Sequence, residues 1–340
     1  MVGAVISERE AMSLALEAAR TPARRPHPNP RVGCVVLSRD GDVVGVGHHR
    51  AAGQPHAEVE ALTQASDAAR GGTAVVTLEP CAHAGRTGPC TEALAEAGIA
   101  RVVFAQEDPN PVAAGGASVL GGWGITAVGG LMVDEARALN PAWTFAQENA
   151  RPFVTWKVAA TLDGRVAASD GTSRWITGDV ARAEVHALRA EVDAVLVGTG
   201  TVLADDPSLT VRDAEGMLAQ VQPLRVAMGS RQVPESAQLR DGAAPFLQIV
   251  SADPVEALAL LVERDVHHVL LEGGPRLAAA FLRAGMIDAI RWYLAPAVLG
   301  NGAPAVADLG IGTMEDIRRF DINGVAQVGD DIRIDLAPRE

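Results

Sequence analysis

The sequence predicts an α/β protein built as two successive domains. Its 340 residues exceed the roughly 150 expected of a single domain. In both halves short β-rich apolar runs alternate with amphipathic stretches, the order that builds a sheet covered by helices. Between residues 108 and 151 the composition turns to Gly, Pro and Ala and then to polar residues, which places the domains at 1–148 and 149–340.

The first domain opens with a helix, because Ser7 and Glu10 form a capping box ahead of Met12, Leu14, Leu16 and Ala19. Strands over 32–37 and 43–46 flank Asp40-Gly41 and form a hairpin. Helices over 57–70, 91–97 and 133–139 and strands over 74–78 and 101–105 follow from their periodicities. In the second domain strands are expected over 154–159, 194–197, 224–227, 246–250, 268–271 and 289–294. Helices are expected there over 181–190, 255–262 and 277–283.

Lys plus Arg number 29 and Asp plus Glu 42, a net charge of −13, which repels the phosphate backbone of a long nucleic acid. Aromatic residues make up 4%, too few for a platform that stacks single-stranded bases. No window approaches the ~18 uncharged apolar residues of a membrane span, and Glu8, Arg9 and Glu10 precede any long apolar run, so neither membrane insertion nor secretion is expected. Cys34, Cys81 and Cys90 are odd in number and too few for a disulfide framework, which points to a reducing cytoplasm. The partner left open is a small anionic ligand.

Of the 29 basic residues, Lys157 alone is lysine. A chain that uses arginine wherever a positive charge suffices keeps this one lysine in an apolar strand, Phe153-Val154-Thr155-Trp156-Lys157-Val158, where an unpaired ammonium is costly. That setting favours a functional amine over a stray surface charge.

His56-Ala57-Glu58 stands at the start of the 57–70 helix, and Glu79-Pro80-Cys81, followed by Cys90, at the end of a strand. One His and two Cys suit tetrahedral zinc, and three protein ligands leave the fourth position to water, the arrangement of a catalytic metal. Glu58 is placed to move that water's protons, as the non-ligating glutamate of zinc deaminases does. The deaminase pattern H-x-E then P-C-x-x-C is stretched here. Residues 82–89 separate the two cysteines and bring His83 and Arg86 beside the metal, as a phosphorylated substrate requires. Singly, His56, Cys81 and Cys90 would pass for ordinary core side chains; their joint spacing with Glu58 points to zinc. Cys34 lacks such company and is assigned to core packing, and His27 and His49 to ordinary loops.

Together with Asn29-Pro30-Arg31-Val32-Gly33 and Asp108-Pro109-Asn110-Pro111, these runs resemble the deaminase half of the bifunctional riboflavin biosynthesis family called RibD or RibG. The long insert between Cys81 and Cys90 separates that family from cytidine and transfer-RNA deaminases. The resemblance implies a cytidine-deaminase-like three-layer α/β/α domain, zinc on His56, Cys81 and Cys90, and proton transfer by Glu58. It also implies substrate contacts from Asn29, His48, His83, Arg86, Asp108 and Asn110. Arg86 stands where the family often has lysine.

The second half resembles the reductase part of the same family through residues 157–165, 173–177, 197–201, 204–207 and 271–275. This implies a dihydrofolate-reductase-like α/β domain that uses NADPH. No G-x-G-x-x-G follows the first strand, so an ordinary dinucleotide fingerprint is absent. Two glycine-bearing turns nevertheless suit a phosphate, Glu272-Gly273-Gly274 ahead of Pro275 and Gly198-Thr199-Gly200-Thr201. A plain strand-to-helix turn is the alternative for each. The resemblance places NADPH at Ala159, Trp175, Thr201, Asp205, Ser230 and the run Gly274, Pro275, Arg276, Leu277, Ala278, Ala279 and Ala280. It places the substrate near Ser173, Arg189, Leu209, Arg212 and Glu272, where Arg189 and Arg212 could clamp one phosphate.

The expected activity is therefore double. Zinc-dependent deamination of diaminohydroxyphosphoribosylaminopyrimidine is followed by NADPH-dependent reduction of 5-amino-6-(5-phosphoribosylamino)uracil to its ribityl form, with Lys157 polarising or protonating the opening sugar. The chain is expected to work as a cytoplasmic homo-oligomer, a dimer or tetramer. A zinc deaminase whose second domain only mediates assembly is the alternative, and Lys157, Asp205 and Glu272 speak against it. A zinc-binding interaction module would need neither Glu58 nor an open fourth position.

Overall fold

The chain divides into two units, Met1–Asn149 and Ala150–Glu340, and the computed structural model describes residues 5–21, 26–84, 88–173, 175–213 and 216–339. The first unit runs α1 (Glu8–Arg20), β1 (Gly33–Leu37), β2 (Val43–His48), α2 (Ala57–Ala65), β3 (Thr73–Leu78), α3 (Cys90–Glu96), β4 (Arg101–Gln106), α4 (Gly116–Gly122), β5 (Thr126–Val128), α5 (Val133–Arg137) and α6 (Pro141–Asn149). The Ser7 side chain accepts from Glu10 N and the Glu10 carboxylate accepts from Ser7 N, which completes the capping box. The sheet order is β2-β1-β3-β4-β5, with β1 antiparallel to both neighbours and β3, β4 and β5 parallel.

Because successive strand residues face opposite sides, this sheet feeds two cores. Cys34, Val36, Val76 and Phe104 pack with Ala57, Ala61 and Leu94 on one side, and Val35, Val75 and Val103 with Met12 and Leu16 on the other. The result is three layers, helix on sheet on helix. The approach of α2 is close: a Cβ on Gly47 would lie 2.3 Å from Ala57 O. This tight contact seats the first turn of α2, and with it His56 and Glu58, against the sheet.

The second unit runs β6 (Phe153–Thr161), β7 (Arg165–Ala168), α7 (Asp179–Glu191), β8 (Ala194–Gly198), α8 (Thr199–Asp205), β9 (Leu224–Met228), β10 (Phe246–Ile249), α9 (Pro254–Val262), β11 (His268–Leu271), α10 (Pro275–Arg283), β12 (Ala289–Ala295), β13 (Gly302–Pro304), β14 (Phe320–Val328) and β15 (Asp331–Pro338). Its main sheet has the order β10-β9-β8-β11-β6-β12-β15-β14, parallel from β10 to β12 and antiparallel beyond. Val154, Trp156, Val158, Leu196 and Leu271 share one core with α9 and α10, while Val195, Val197 and Leu270 share another with Val202 and Leu209.

The structure departs from the expected elements at identifiable places. The helix expected to reach residue 70 stops at Ala65, where Ser66 takes φ 48° and a single 3-10 turn follows. Helix α4 forms from Gly-Ala-Ser-Val-Leu-Gly-Gly, a composition that reads as a loop. Helix α6 begins on Pro141, a residue that suits the first helical position as well as a domain boundary. The β14–β15 hairpin was not expected, because its apolar Ile322 and Val325 point outward instead of marking a buried face.

Candidate active sites

In the first unit, His56 caps α2, Glu58 lies in that helix's first turn, Cys81 follows β3 and Cys90 is the first residue of α3. His56 Nδ1 lies 3.2 Å from Cys90 Sγ and 3.7 Å from Cys81 Sγ, and the three donor atoms all lie within 4.8 Å of one another. Tetrahedral zinc with ordinary N and S bond lengths needs N···S separations of about 3.6 Å, so the donor set fits the metal. Hydrogen bonding with Cys90, opposed by burial and helped by His56, brings the Cys81 thiol down to about 4, towards the thiolate that ligates. Glu58 is 3% exposed and its carboxylate reaches Cys90. Burial raises its pKa while His56 opposes the rise.

Around this centre the structure sorts the other predicted residues. Asn29 Nδ2 lies 2.9 Å from Nε2 of His49, a residue assigned to a loop on sequence grounds. His49 Nδ1 lies 3.1 Å from the Pro55 carbonyl; it must donate there, so Nε2 accepts from the Asn29 amide. His49 is 2% exposed and stands edge-on to His56, ring centroids 5.1 Å apart. His48 instead ends β2 with its imidazole 3.9 Å from Glu60, which Arg50 also pairs. Neighbouring strand residues point opposite ways, so the histidine that reaches Asn29 and His56 is His49, and the expectation for His48 is corrected. A histidine in a H-H pair cannot be assigned from sequence without the pleat.

Asp108 is 9% exposed, and burial pushes its carboxyl up to about 7. It accepts from Asn110 N at 2.9 Å. Its own amide is held by Glu79, which also accepts from Ala117 N. Glu79 is thus a positioning group that sequence reasoning passed over, although an acid fixed between a strand end and Pro80 was a usable signal. His83 Nδ1 is buried without a partner among the described residues. Arg86 lies outside the described residues.

In the second unit a cavity of about 910 Å³ is lined by Lys157, Ala159, Ser173, Trp175, Thr201, Asp205, Glu272 and the start of α10, a size suited to a small-molecule site. Gly274 through Leu277 and Ala280 face it. Ala278 and Ala279, expected among the cofactor contacts, are 0% exposed and lie in the core, because a helix shows the cavity only one of its faces. Ser230 is exposed and stands between two lining residues, Gly229 and Arg231. A Cβ on Gly273 would lie 2.5 Å from Leu277 Cδ2, so the turn onto α10 closes tightly on the helix and leaves that helix's first amides towards the cavity. Trp175 is 73% exposed at φ 70°, with the Arg182 guanidinium 4.2 Å from its ring.

Lys157 is only partly buried; burial lowers its pKa, Glu272 raises it and Arg189 lowers it further. Arg189 Nε and Nη2 donate to Glu272 at 2.6 and 2.9 Å. Burial alone would raise Glu272, yet this pairing holds it at about 2. Arg212 is exposed and donates to the Gly216 carbonyl. Of the two guanidinium groups expected to clamp a phosphate, Arg189 is thus paired with Glu272, a carboxylate 83 residues along the chain. Leu209 is 3% exposed with its side chain in the core, so only its backbone is available to a ligand.

Comparison with known proteins finds a separate match in each unit. Residues 6–106 match the cytidine and deoxycytidylate deaminase zinc-binding region and residues 152–334 the RibD C-terminal domain. The chain is 45% identical to the riboflavin biosynthesis protein RibD of Mycobacterium tuberculosis, with 97% of each chain covered. It is 38% identical to that of Escherichia coli, over 96% of this chain and 98% of that one. Among solved structures, Acinetobacter baumannii RibD superposes with a TM-score of 0.90 at 39% identity, covering 98% and 99% of the two chains. A diaminohydroxyphosphoribosylaminopyrimidine deaminase/5-amino-6-(5-phosphoribosylamino)uracil reductase of Thermotoga maritima superposes with a TM-score of 0.85 at 33% identity, over 98% and 99%.

Proposed function

The chain belongs to the RibD family of riboflavin biosynthesis proteins, and from that premise we propose how its residues divide the work. It is a bifunctional enzyme that deaminates diaminohydroxyphosphoribosylaminopyrimidine with zinc and reduces 5-amino-6-(5-phosphoribosylamino)uracil with NADPH. Deamination belongs to residues 1–149 and reduction to residues 150–340.

His56, Cys81 and Cys90 hold zinc, which when bound activates water for attack on the pyrimidine ring. Glu58 takes the proton of the attacking water and delivers it to the departing amine nitrogen. Asn29, turned by His49, presents its carboxamide oxygen to the ring, and Asp108, Asn110 and the unpartnered Nδ1 of His83 supply further hydrogen bonds. Arg86 serves the phosphate.

NADPH, when bound in the cavity, would supply the hydride that C1′ of the ribosyl group accepts. Ala159, Trp175, Thr201, Asp205, Ser230 and the first turn of α10 hold the dinucleotide. Lys157 gives a proton to the ring oxygen as its bond to C1′ breaks, a transfer that its lowered pKa favours. Glu272, held ionised by Arg189, cannot be the donor; it orients the sugar hydroxyls and faces the ammonium. Ser173, the Leu209 backbone and Arg212 take the phosphate end.

The observation that carries this reading is the convergence of His56, Cys81 and Cys90 beside the buried Glu58. Incubation of the purified chain with the diamino substrate, followed by mass analysis, tests it. Without NADPH the deaminated intermediate should accumulate; with NADPH the ribityl product should replace it. Glu58→Gln should keep one zinc per chain and release no ammonia; failure of the native chain to yield both products would refute the reading.

The same proposal includes self-association as a dimer or tetramer, supported by the exposed Ile322 and Val325 on the outer strand β14, and a cytoplasmic setting, supported by a ligand set that requires reduced cysteines. No helix among the described residues is long and apolar enough to cross a membrane.

A further inference from the structure

Arg225 on β9 is 0% exposed and is the largest fully buried side chain among the described residues. Burial of a guanidinium is costly unless its donors are satisfied. Here Nε finds no partner among the described residues, but the two Nη atoms gather three separate pieces of chain. Nη1 donates to the carbonyls of Ser208 at 3.2 Å and Gln238 at 3.0 Å, and Nη2 to that of Ala244 at 2.6 Å. Asp241 pairs with Nη1 at 3.0 Å. A buried charge of this kind adds little stability compared with an apolar side chain of the same volume; what it adds is a fixed geometry for the segments it joins.

The segment it holds at Ser208 is unusual. Asp206 and Leu209, on either side, have φ of 40° and 50°, left-handed backbone that non-glycine residues adopt only when their surroundings enforce it. Asp206 is further tied by Gln238, whose backbone amide and Nε2 donate to it at 2.9 and 2.7 Å. The Thr210 backbone hydrogen-bonds His186 on α7, one helical turn from Arg189. The turn therefore begins beside Asp205, which lines the cavity, and runs on to Arg212.

We infer that Arg225 is a positioning residue of the reductase site, holding the left-handed turn at 206–209 so that Leu209 and Arg212 meet the ribosyl-phosphate end of the substrate. This rests on the reductase reading above. The proposed cofactor contacts come from β6, Trp175, α8, the segment after β9 and the start of α10, and the Arg225 side chain hydrogen-bonds none of them. Loss of the fork is therefore felt by the substrate and not by NADPH.

The test uses full-length Arg225→Lys, which keeps the charge but cannot reach four acceptors, and Arg225→Met, which keeps the volume. Amide exchange across 206–212 should rise at least tenfold in Arg225→Lys while β8 and β11 keep their protection. The KM for the deaminated intermediate should rise about tenfold, the equivalent of losing one hydrogen bond, with kcat, the KM for NADPH and deamination within twofold of the native chain. If Arg225→Met does not fold, Gln238→Ala, which removes the Nε2 bond to Asp206, should raise the same KM. Unchanged exchange at 206–212 would overturn the inference, as would an equal loss of affinity for NADPH and intermediate. A native chain that never oxidises NADPH would refute the reductase reading itself, and the exchange data would still decide whether Arg225 orders the turn.

Discussion

In the first unit the reactive groups come from two short stretches, 56–58 and 79–90, and meet at the starts of α2 and α3. In the second, the cavity is walled by residues from β6, β7, α8, β13 and α10 and from the turn between β11 and α10, and its charges are set by a pair, Arg189 and Glu272, that lie 83 residues apart in the chain. A metal needs a few soft ligands at fixed mutual distances, which a local motif can supply. A dinucleotide and a sugar phosphate need a long surface, which only a folded sheet can supply. The first site should therefore fail through single side chains, and the second through the geometry of its backbone and its buried ion pair.

That contrast can be broken in several ways. The largest effect is expected from Glu272→Gln, which leaves Arg189 buried without its counter-ion and should cost the second unit about 3–5 kcal/mol, read by denaturant unfolding. The pH dependence of stability should change with it. Glu272 in the folded chain lies at about 2, down from 4.5, so its contribution is complete above pH 4.5 and is lost as pH falls towards 2. That contribution is about 3 kcal/mol by linkage, and Glu272→Gln should flatten the acid limb by that amount. An unaltered acid limb would show that the pair does not hold the carboxylate down.

Lys157→Arg keeps the charge but replaces an amine able to give up its proton with a larger, permanently protonated plane. NADPH oxidation with the deaminated intermediate should fall by at least ~100-fold, while zinc content and deamination stay unchanged. Near-native turnover would remove Lys157 from the mechanism. A smaller effect is expected from His49, beside the metal ligands of the first site. His49→Ala should raise the KM for the diamino substrate about tenfold through the loss of one buried hydrogen bond to Asn29, whereas His48→Ala should change it less than twofold. The reverse order would restore His48 as the substrate-facing residue.

What could be read in advance follows the same line. The capping box of α1, the β1–β2 hairpin and the His56, Glu58, Cys81, Cys90 set depend on neighbours within a few residues, and each was legible. The lone lysine was legible because composition isolates it. His49 was missed because the choice between adjacent histidines depends on which face of the chain each takes. Ala278 and Ala279 were included because a contiguous run ignores the helical period. The pairing of Arg189 with Glu272 and the fork of Arg225 could not be seen, since both join segments that only the parallel sheet brings together. Helix α4 and the β14–β15 hairpin escaped because glycine content in one and outward apolar residues in the other contradict the usual local signals.

If two independent active sites share this chain, Cys81→Ser assayed for both reactions separates them. The variant should bind little or no zinc and release no ammonia from the diamino substrate, yet reduce supplied deaminated intermediate with NADPH at the native rate. Loss of both activities in a chain that remains folded would contradict that independence.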